Sequence, residues 1–98
     1  MTAMTTQKSL IDEEYHEFCK AFLKEGFEEQ LKELADLVYV CYQYAAAKDW
    51  DLDEAMKRVH LSNLSKLGED GKPIRREDGK VLKGPSYAPP TLTDLVND

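Results

Sequence analysis

The sequence predicts an all-α fold: an antiparallel helical hairpin plus a third helix, the bundle completed by oligomerisation, with an extended or hairpin-like C-terminal tail. Three observations predict it. Leu10, Ile11, Tyr15, Phe18 and Phe22 recur at helical spacing. The run LADLVYVCYQYAAA, Leu34 to Ala47, is apolar nearly all round, with Asp36 and Gln43 its strongly polar members. Turn signals and prolines crowd only beyond Gly68. Ninety-eight residues suit one small domain over 1–98, with a helical core at 7–67 and a turn-rich tail at 68–98. So short a chain has few helices to cover an all-round apolar one, which predicts a second subunit, in a dimer or a tetramer.

The first helix is expected from about Gln7 to Lys24, with Met1 to Thr6 frayed and Gly26 as its stop. The second runs from about Phe27 to Lys48, and Glu28 and Glu29 suit the positive end of its dipole. So short a connection permits only an antiparallel hairpin. Trp50 is expected to anchor the next turn. Asp51-Leu52-Asp53-Glu54 is a capping box, opening a third helix that runs to about Leu67 and ends at Gly68. Leu52, Ala55, Met56, Val59 and Leu67 form its expected buried side, with Lys57, Arg58 and Lys66 available for polar contacts. Asp70-Gly71 and Asp78-Gly79 are turn signals, the second at the tip of a small hairpin in KPIRREDGKVLKGP. Pro85, Pro89 and Pro90 keep the remainder extended. A tail this poor in core residues must dock, on its own helices or on a neighbouring subunit.

The net charge of −6 is unevenly spread. Asp12 to Asp36 holds nine acids against three lysines, whereas Lys57 to Lys83 holds eight bases against four acids. Two solvated faces of opposite sign account for this, and so does a protein that holds a metal with one half and phosphates with the other. Overall acidity disfavours a nucleic-acid polymer as partner. No apolar run reaches a membrane span and no signal-peptide pattern opens the chain, so a cytoplasmic location is expected (the host's, for a phage-encoded chain). Cys19 and Cys41 fit no metal or redox spacing and read as buried free thiols. His16 and His60 have no supporting constellation, and Walker A, GxSxG and zinc patterns are absent from the sequence.

The acids carry the chemistry. Glu14 and Glu17 lie three apart on the first helix, as do Glu33 and Asp36 on the second. Three residues turn a helix through about 300°, so each pair shares a face. Glu17 and Glu33 each lie about eight residues from the turn, so the hairpin sets them at similar heights. Four converging carboxylates repel one another, and a hard, oxygen-seeking dication such as Mg²⁺, or Mn²⁺ in its place, resolves the conflict. For Glu14 and Glu17 alone a wet helix face is the plainer reading. Asp36 interrupts an apolar pattern and is a poor helix former, so its plainer alternative is a salt bridge to a buried Lys or Arg.

SLIDEEYHEF, the acids of LKELADLVYV, HLSNLSKLGEDGKP and DGKVLKGPSYAPPTL together resemble the MazG-like all-α nucleoside triphosphate pyrophosphohydrolases. That superfamily includes phosphoribosyl-ATP pyrophosphohydrolase and dimeric dUTPases, and the Asp-Gly-Lys tail looks most like its short phage-type members. Members often carry a further helix ahead of the first acidic motif, for which little chain precedes Glu14 here, so a different subunit packing is expected. The resemblance implies Mg²⁺-dependent hydrolysis of a (deoxy)nucleoside triphosphate, dGTP being the first choice, to the monophosphate and pyrophosphate. Phosphoribosyl-ATP or dUTP are the alternative substrates, and a non-catalytic helical interaction module is the rival from another class. It implies Glu14, Glu17, Glu33 and Asp36 as metal ligands, with Glu13 or Glu17 as the proton acceptor. It matches Asn63 and Lys66 to an N-x-x-K substrate-binding element. Lys72, Arg75, Arg76, Lys80 and Lys83 are further candidates for the triphosphate, though each alone reads as a solvated turn residue. Tyr87 could stack on a base or pack on the core.

Overall fold

The computed structural model describes residues 3–24 and 26–96. Three helices, α1 (Ala3–Lys24), α2 (Phe27–Ala47) and α3 (Leu52–Leu64), precede two short strands, β1 (Ile74–Arg75) and β2 (Val81–Leu82), and a 3₁₀ turn at Thr93–Leu95. The chain divides into two compact units, Met1–Trp50 and Asp51–Asp98. Among the described residues no helix is long and apolar enough to cross a membrane.

In the first unit α1 and α2 pack together as the expected hairpin. The first helix starts at Ala3, four residues ahead of the expected Gln7. Residues 3–6 contain no helix breaker, and the Ser9 hydroxyl donates to the Thr5 carbonyl at 3.0 Å within the first turns. Gly26 is the N-cap of α2 rather than a left-handed stop for α1. Its backbone is extended, and its carbonyl accepts from Gln30 N–H at 3.0 Å, the first bond of the new helix. Among the described residues of this hairpin, the buried apolar ones are Ala21, Val40 and Ala45. Cys19 and Cys41 are free, and half-buried rather than buried.

Two amides past the end of α2 turn back onto its last carbonyls. Asp49 N–H donates to Ala46 at 3.0 Å and Trp50 N–H to Ala45 at 2.9 Å, with Asp49 left-handed at φ 59°. This is a Schellman closure with aspartate where glycine usually sits. The Trp50 ring lies 6.1 Å from the Tyr44 ring, which gives the motif its apolar contact and the tryptophan its expected anchoring role.

In the second unit the Asp51 side chain accepts from Glu54 N–H at 3.0 Å, the predicted cap, worth about 1 kcal/mol. The helix ends at Leu64 rather than Leu67, because the bonds tighten to three-residue steps: Lys66 N–H to Asn63 and Leu67 N–H to Leu64, each 3.2 Å. The two Asp-Gly-Lys sequences fold alike. Asp70 accepts from Lys72 N–H at 3.0 Å and Asp78 from Lys80 N–H at 3.1 Å, with left-handed Gly71 and Gly79 between. The second turn closes the predicted hairpin, pairing Ile74 with Leu82 and Arg75 with Val81 in antiparallel register.

The tail docks on α3 and the turn that follows it. Gly84 N–H donates to the Lys66 carbonyl at 2.7 Å. A Cβ at Gly84 would stand 2.6 Å from that oxygen and closer still to Leu67 O, so the approach requires glycine. The Ser62 hydroxyl donates to Ala88 O at 2.8 Å, and Ala88 N–H donates to the Ser65 hydroxyl at 2.9 Å. Arg58 then fastens the far end. It donates to Asp94 through two nitrogens at 2.6 and 3.0 Å, to Thr91 O at 3.1 Å and to Glu54 at 3.0 Å.

Candidate functional site

Helix α1 carries Glu14 and helix α2 carries Glu33 and Asp36, and the hairpin brings these three together. Each offers one carboxylate oxygen within 4.8 Å of the others. All three are half-buried, and the Glu33 side chain is only 13% exposed. Glu17 stands outside the group. It is exposed, with Oε1 3.9 Å from Lys20 Nζ in the next turn. Height along the hairpin matched Glu17 to Glu33, but the rotation of the two helices against each other turns Glu14, not Glu17, toward Glu33 and Asp36. Glu13 is exposed beside Glu14.

Lys32 is the group's positive neighbour. Its Nζ lies 2.9 Å from Asp36 Oδ2 and 3.3 Å from Glu33 Oε1, and hydrogen bonds to those two carboxylates raise its pKa. Asp36 thus has a salt bridge as well as a place in the acidic trio. The partner is an exposed lysine one turn back, not the buried cation that the sequence suggested. An ion pair this wet is weak support for a carboxylate set in an apolar run. Glu14 carries the strain of the arrangement. Burial raises its pKa most, then the charges of Asp36, Glu33 and Glu13, and Lys32 offsets this only in part. Three carboxyl groups whose mutual repulsion one exposed lysine relieves only in part suit a hard dication, for which all the donors are oxygens.

The second unit holds the other candidates. Asn63 is exposed at the end of α3. Lys66 lies just beyond the helix, so its link to Asn63 is the turn hydrogen bond already described, not a shared helix face. Lys66 Nζ stands 5.9 Å and Lys83 Nζ 4.9 Å from the centre of the Tyr87 ring. Arg75 donates to Gly79 O at 3.0 Å across the hairpin turn. Arg76 donates twice to Asp78, which holds the Asp78 carboxyl below its usual range. Lys72 and Lys80 are exposed, and their amides serve the two Asp-Gly turns. Arg75 and Arg76 are thereby committed to the hairpin's own structure.

His16 Nδ1 lies 2.7 Å from the Asp12 carbonyl within its helix, and the Tyr15 ring meets the imidazole edge-on at 5.6 Å. His60 is exposed. Sequence reasoning missed Lys32, although its four-residue spacing to Asp36 was visible. It also missed the Arg58–Asp94 tie, for which a separation of 36 residues left no local signal.

No curated protein matches the chain. The family model for phosphoribosyl-ATP pyrophosphohydrolase matches residues 2–63, more than half the chain, and the match spans both helices of the acidic hairpin. The chain belongs to the phosphoribosyl-ATP pyrophosphohydrolase family, a family of nucleotide pyrophosphohydrolases that are typically metal-dependent, and it carries an acidic cluster on the matched hairpin.

Proposed function

We propose that this protein hydrolyses a (deoxy)nucleoside triphosphate to the monophosphate and pyrophosphate in a Mg²⁺-dependent reaction. The observation that carries the reading is the meeting of Glu14 with Glu33 and Asp36 across the α1–α2 hairpin. These three would hold the ion, and Mn²⁺ has the same preference for such oxygens. When bound, the ion supplies charge neutralisation at the phosphate oxygens and a more acidic water. Glu33 and Asp36 fix the site from one helix and Glu14 closes it from the other. Glu17, one turn along and outside the trio, is assigned as the proton acceptor, with Glu13 the alternative. Asn63, Lys66, Lys72, Lys80, Lys83 and Tyr87 of the second unit are the proposed substrate-binding residues, Lys66 and Lys83 foremost; Arg75 joins them only by giving up its bond to Gly79 O. Homo-oligomerisation and a cytoplasmic site of action belong to the same proposal.

A second substrate is favoured by one specific observation. The matching family is named for phosphoribosyl-ATP, and that name supports testing this nucleotide beside dGTP. The test is pyrophosphate release from dGTP, the other dNTPs and NTPs, dUTP and phosphoribosyl-ATP, each with Mg²⁺, Mn²⁺ or EDTA. Release is expected with either metal and none with EDTA. Asp36→Asn keeps the side chain's size and removes its charge. It should lower turnover by about a hundredfold or more while the helical circular-dichroism signal stays near wild type. Full activity in that variant removes Asp36 as a ligand. No release from any nucleotide favours a helical interaction module.

A further inference from the structure

Given the metal site proposed above, we infer that Lys32 is a built-in competitor of the ion: its ammonium bonds two of the three carboxylates that would hold a dication, and the ion must displace it to bind. The placement is local. Lys32 stands one residue before Glu33 and four before Asp36 on α2, and its four-carbon stem is long enough to serve both. Its Nζ lies 2.9 Å from Asp36 Oδ2 and 3.3 Å from Glu33 Oε1. Among the described residues it forms no ion pair with Glu14, the acid that α1 supplies. The ammonium thus covers the α2 half of the trio. The Lys32 side chain is 59% exposed, against 13% for Glu33, so it reaches the acids from the solvent side and can leave without disturbing the packing of the hairpin.

Displacement follows from charge and reach. Mg²⁺ takes carboxylate oxygens at about 2.1 Å, and an ammonium bonded to the same carboxylates would face it as a like charge at short range. The two cations cannot share Glu33 and Asp36. The ammonium brings one charge to two acids, whereas a dication brings two charges to all three. Exchange therefore favours the dication. A monovalent ion offers no more charge than the lysine it would replace, so the lysine makes the site selective as well as weaker. Exposed ion pairs are worth little, which means that Lys32 lowers the affinity for the ion without blocking it. Lys20 differs: its acid is Glu17, at 3.9 Å and outside the trio, so it carries the same charge on the neighbouring helix without touching the proposed ligands.

Mn²⁺ binding to the full-length protein, followed by the electron paramagnetic resonance of the free ion, tests this without turnover, together with thermal melting in EDTA and in saturating Mn²⁺. Lys32→Gln should bind Mn²⁺ about fivefold or more tightly than wild type. It should also melt lower than wild type in EDTA, where the acids lose their one cation, and gain more from the metal. Lys32→Arg keeps the charge and the donors and should bind Mn²⁺ no more tightly than wild type. Lys20→Gln should leave both readings near wild type, and an equal gain in that variant would mark a diffuse charge effect and overturn the inference. Asp36→Asn should lose Mn²⁺ binding whether or not Lys32 is replaced, which assigns the ion to the trio. Equal Mn²⁺ affinity in wild type and Lys32→Gln overturns the role of Lys32 and leaves the metal site standing; no Mn²⁺ binding by either protein overturns both.

Discussion

Asp49 shows how a single residue can hold a strained place for the sake of a turn. Its φ of 59° is the left-handed conformation that a Cβ disfavours by about 1 kcal/mol or more. Aspartate tolerates it better than most, and the closure it permits satisfies the Ala45 and Ala46 carbonyls at the end of α2. Asp49→Gly relieves the strain and leaves both bonds in place. It should stabilise the protein by up to about 1 kcal/mol, or roughly 4–8 °C in melting temperature. The gain is partly offset by glycine's greater freedom in the unfolded chain, so calorimetry showing a fall rather than a rise would refute the account. Gly84 is the converse case, where any side chain meets backbone carbonyls.

At the scale of elements, the tail holds its place through polar ties rather than a core. Ser62 is the buried residue of α3 and its hydroxyl is spent on the tail, while Arg58 joins α3 to the 3₁₀ turn through Asp94. The guanidinium beside Asp94 is the main cause holding that carboxyl below its ordinary 3.8. A lowered carboxyl contributes stability above its unfolded value and loses it as pH falls through the folded one. The tail should therefore stay docked at neutral pH and loosen only below about pH 3.8, with Asp94→Asn abolishing the dependence. The amide signal of Ala88, which reports the bond to Ser65, can be followed by NMR during acid titration. A midpoint above 3.8 would count against Asp94 as the titrating group.

For the molecule as a whole, the thin core is the leading fact. Among the described residues no large side chain is fully buried. Phe22, Leu23, Phe27, Leu31 and Tyr39 are 65%, 75%, 88%, 66% and 66% exposed. Tyr15, Phe18, Cys19, Phe22 and Leu23 line an apolar cavity of about 340 Å³ on α1. Exposed apolar side chains of this kind support the proposed homo-oligomer, since covering them would add stability that a small core lacks. Light scattering is expected to give a dimer or tetramer at micromolar concentration. Phe22→Glu, harmless on an exposed monomer surface, should shift that mass toward the monomer. A wild-type monomer, or a Phe22→Glu variant that keeps the full assembly mass, would contradict an interface on this face.

Much of this was open to sequence reasoning because it is local. Helical periodicity set α1 and α2, the Asp51 cap set the start of α3, and the two Asp-Gly pairs set the turns, since each depends on dihedral preferences and hydrogen bonds within a few residues. The acids were legible for the same reason: helical spacing puts Glu33 and Asp36 on one face, and charge in an apolar run is costly. The sequence set both Glu14 and Glu17 against them, whereas the structure groups Glu14 alone with Glu33 and Asp36, because that depends on how two helices rotate against each other, which packing fixes. Nor could it show that Arg58 meets Asp94, or that Lys66, Lys83 and Tyr87 converge, since chain folding alone brings such distant residues together. Local physics thus wrote the elements and their chemistry, and tertiary packing decided which side chains share a site, because that choice is made by contacts no short window of sequence contains.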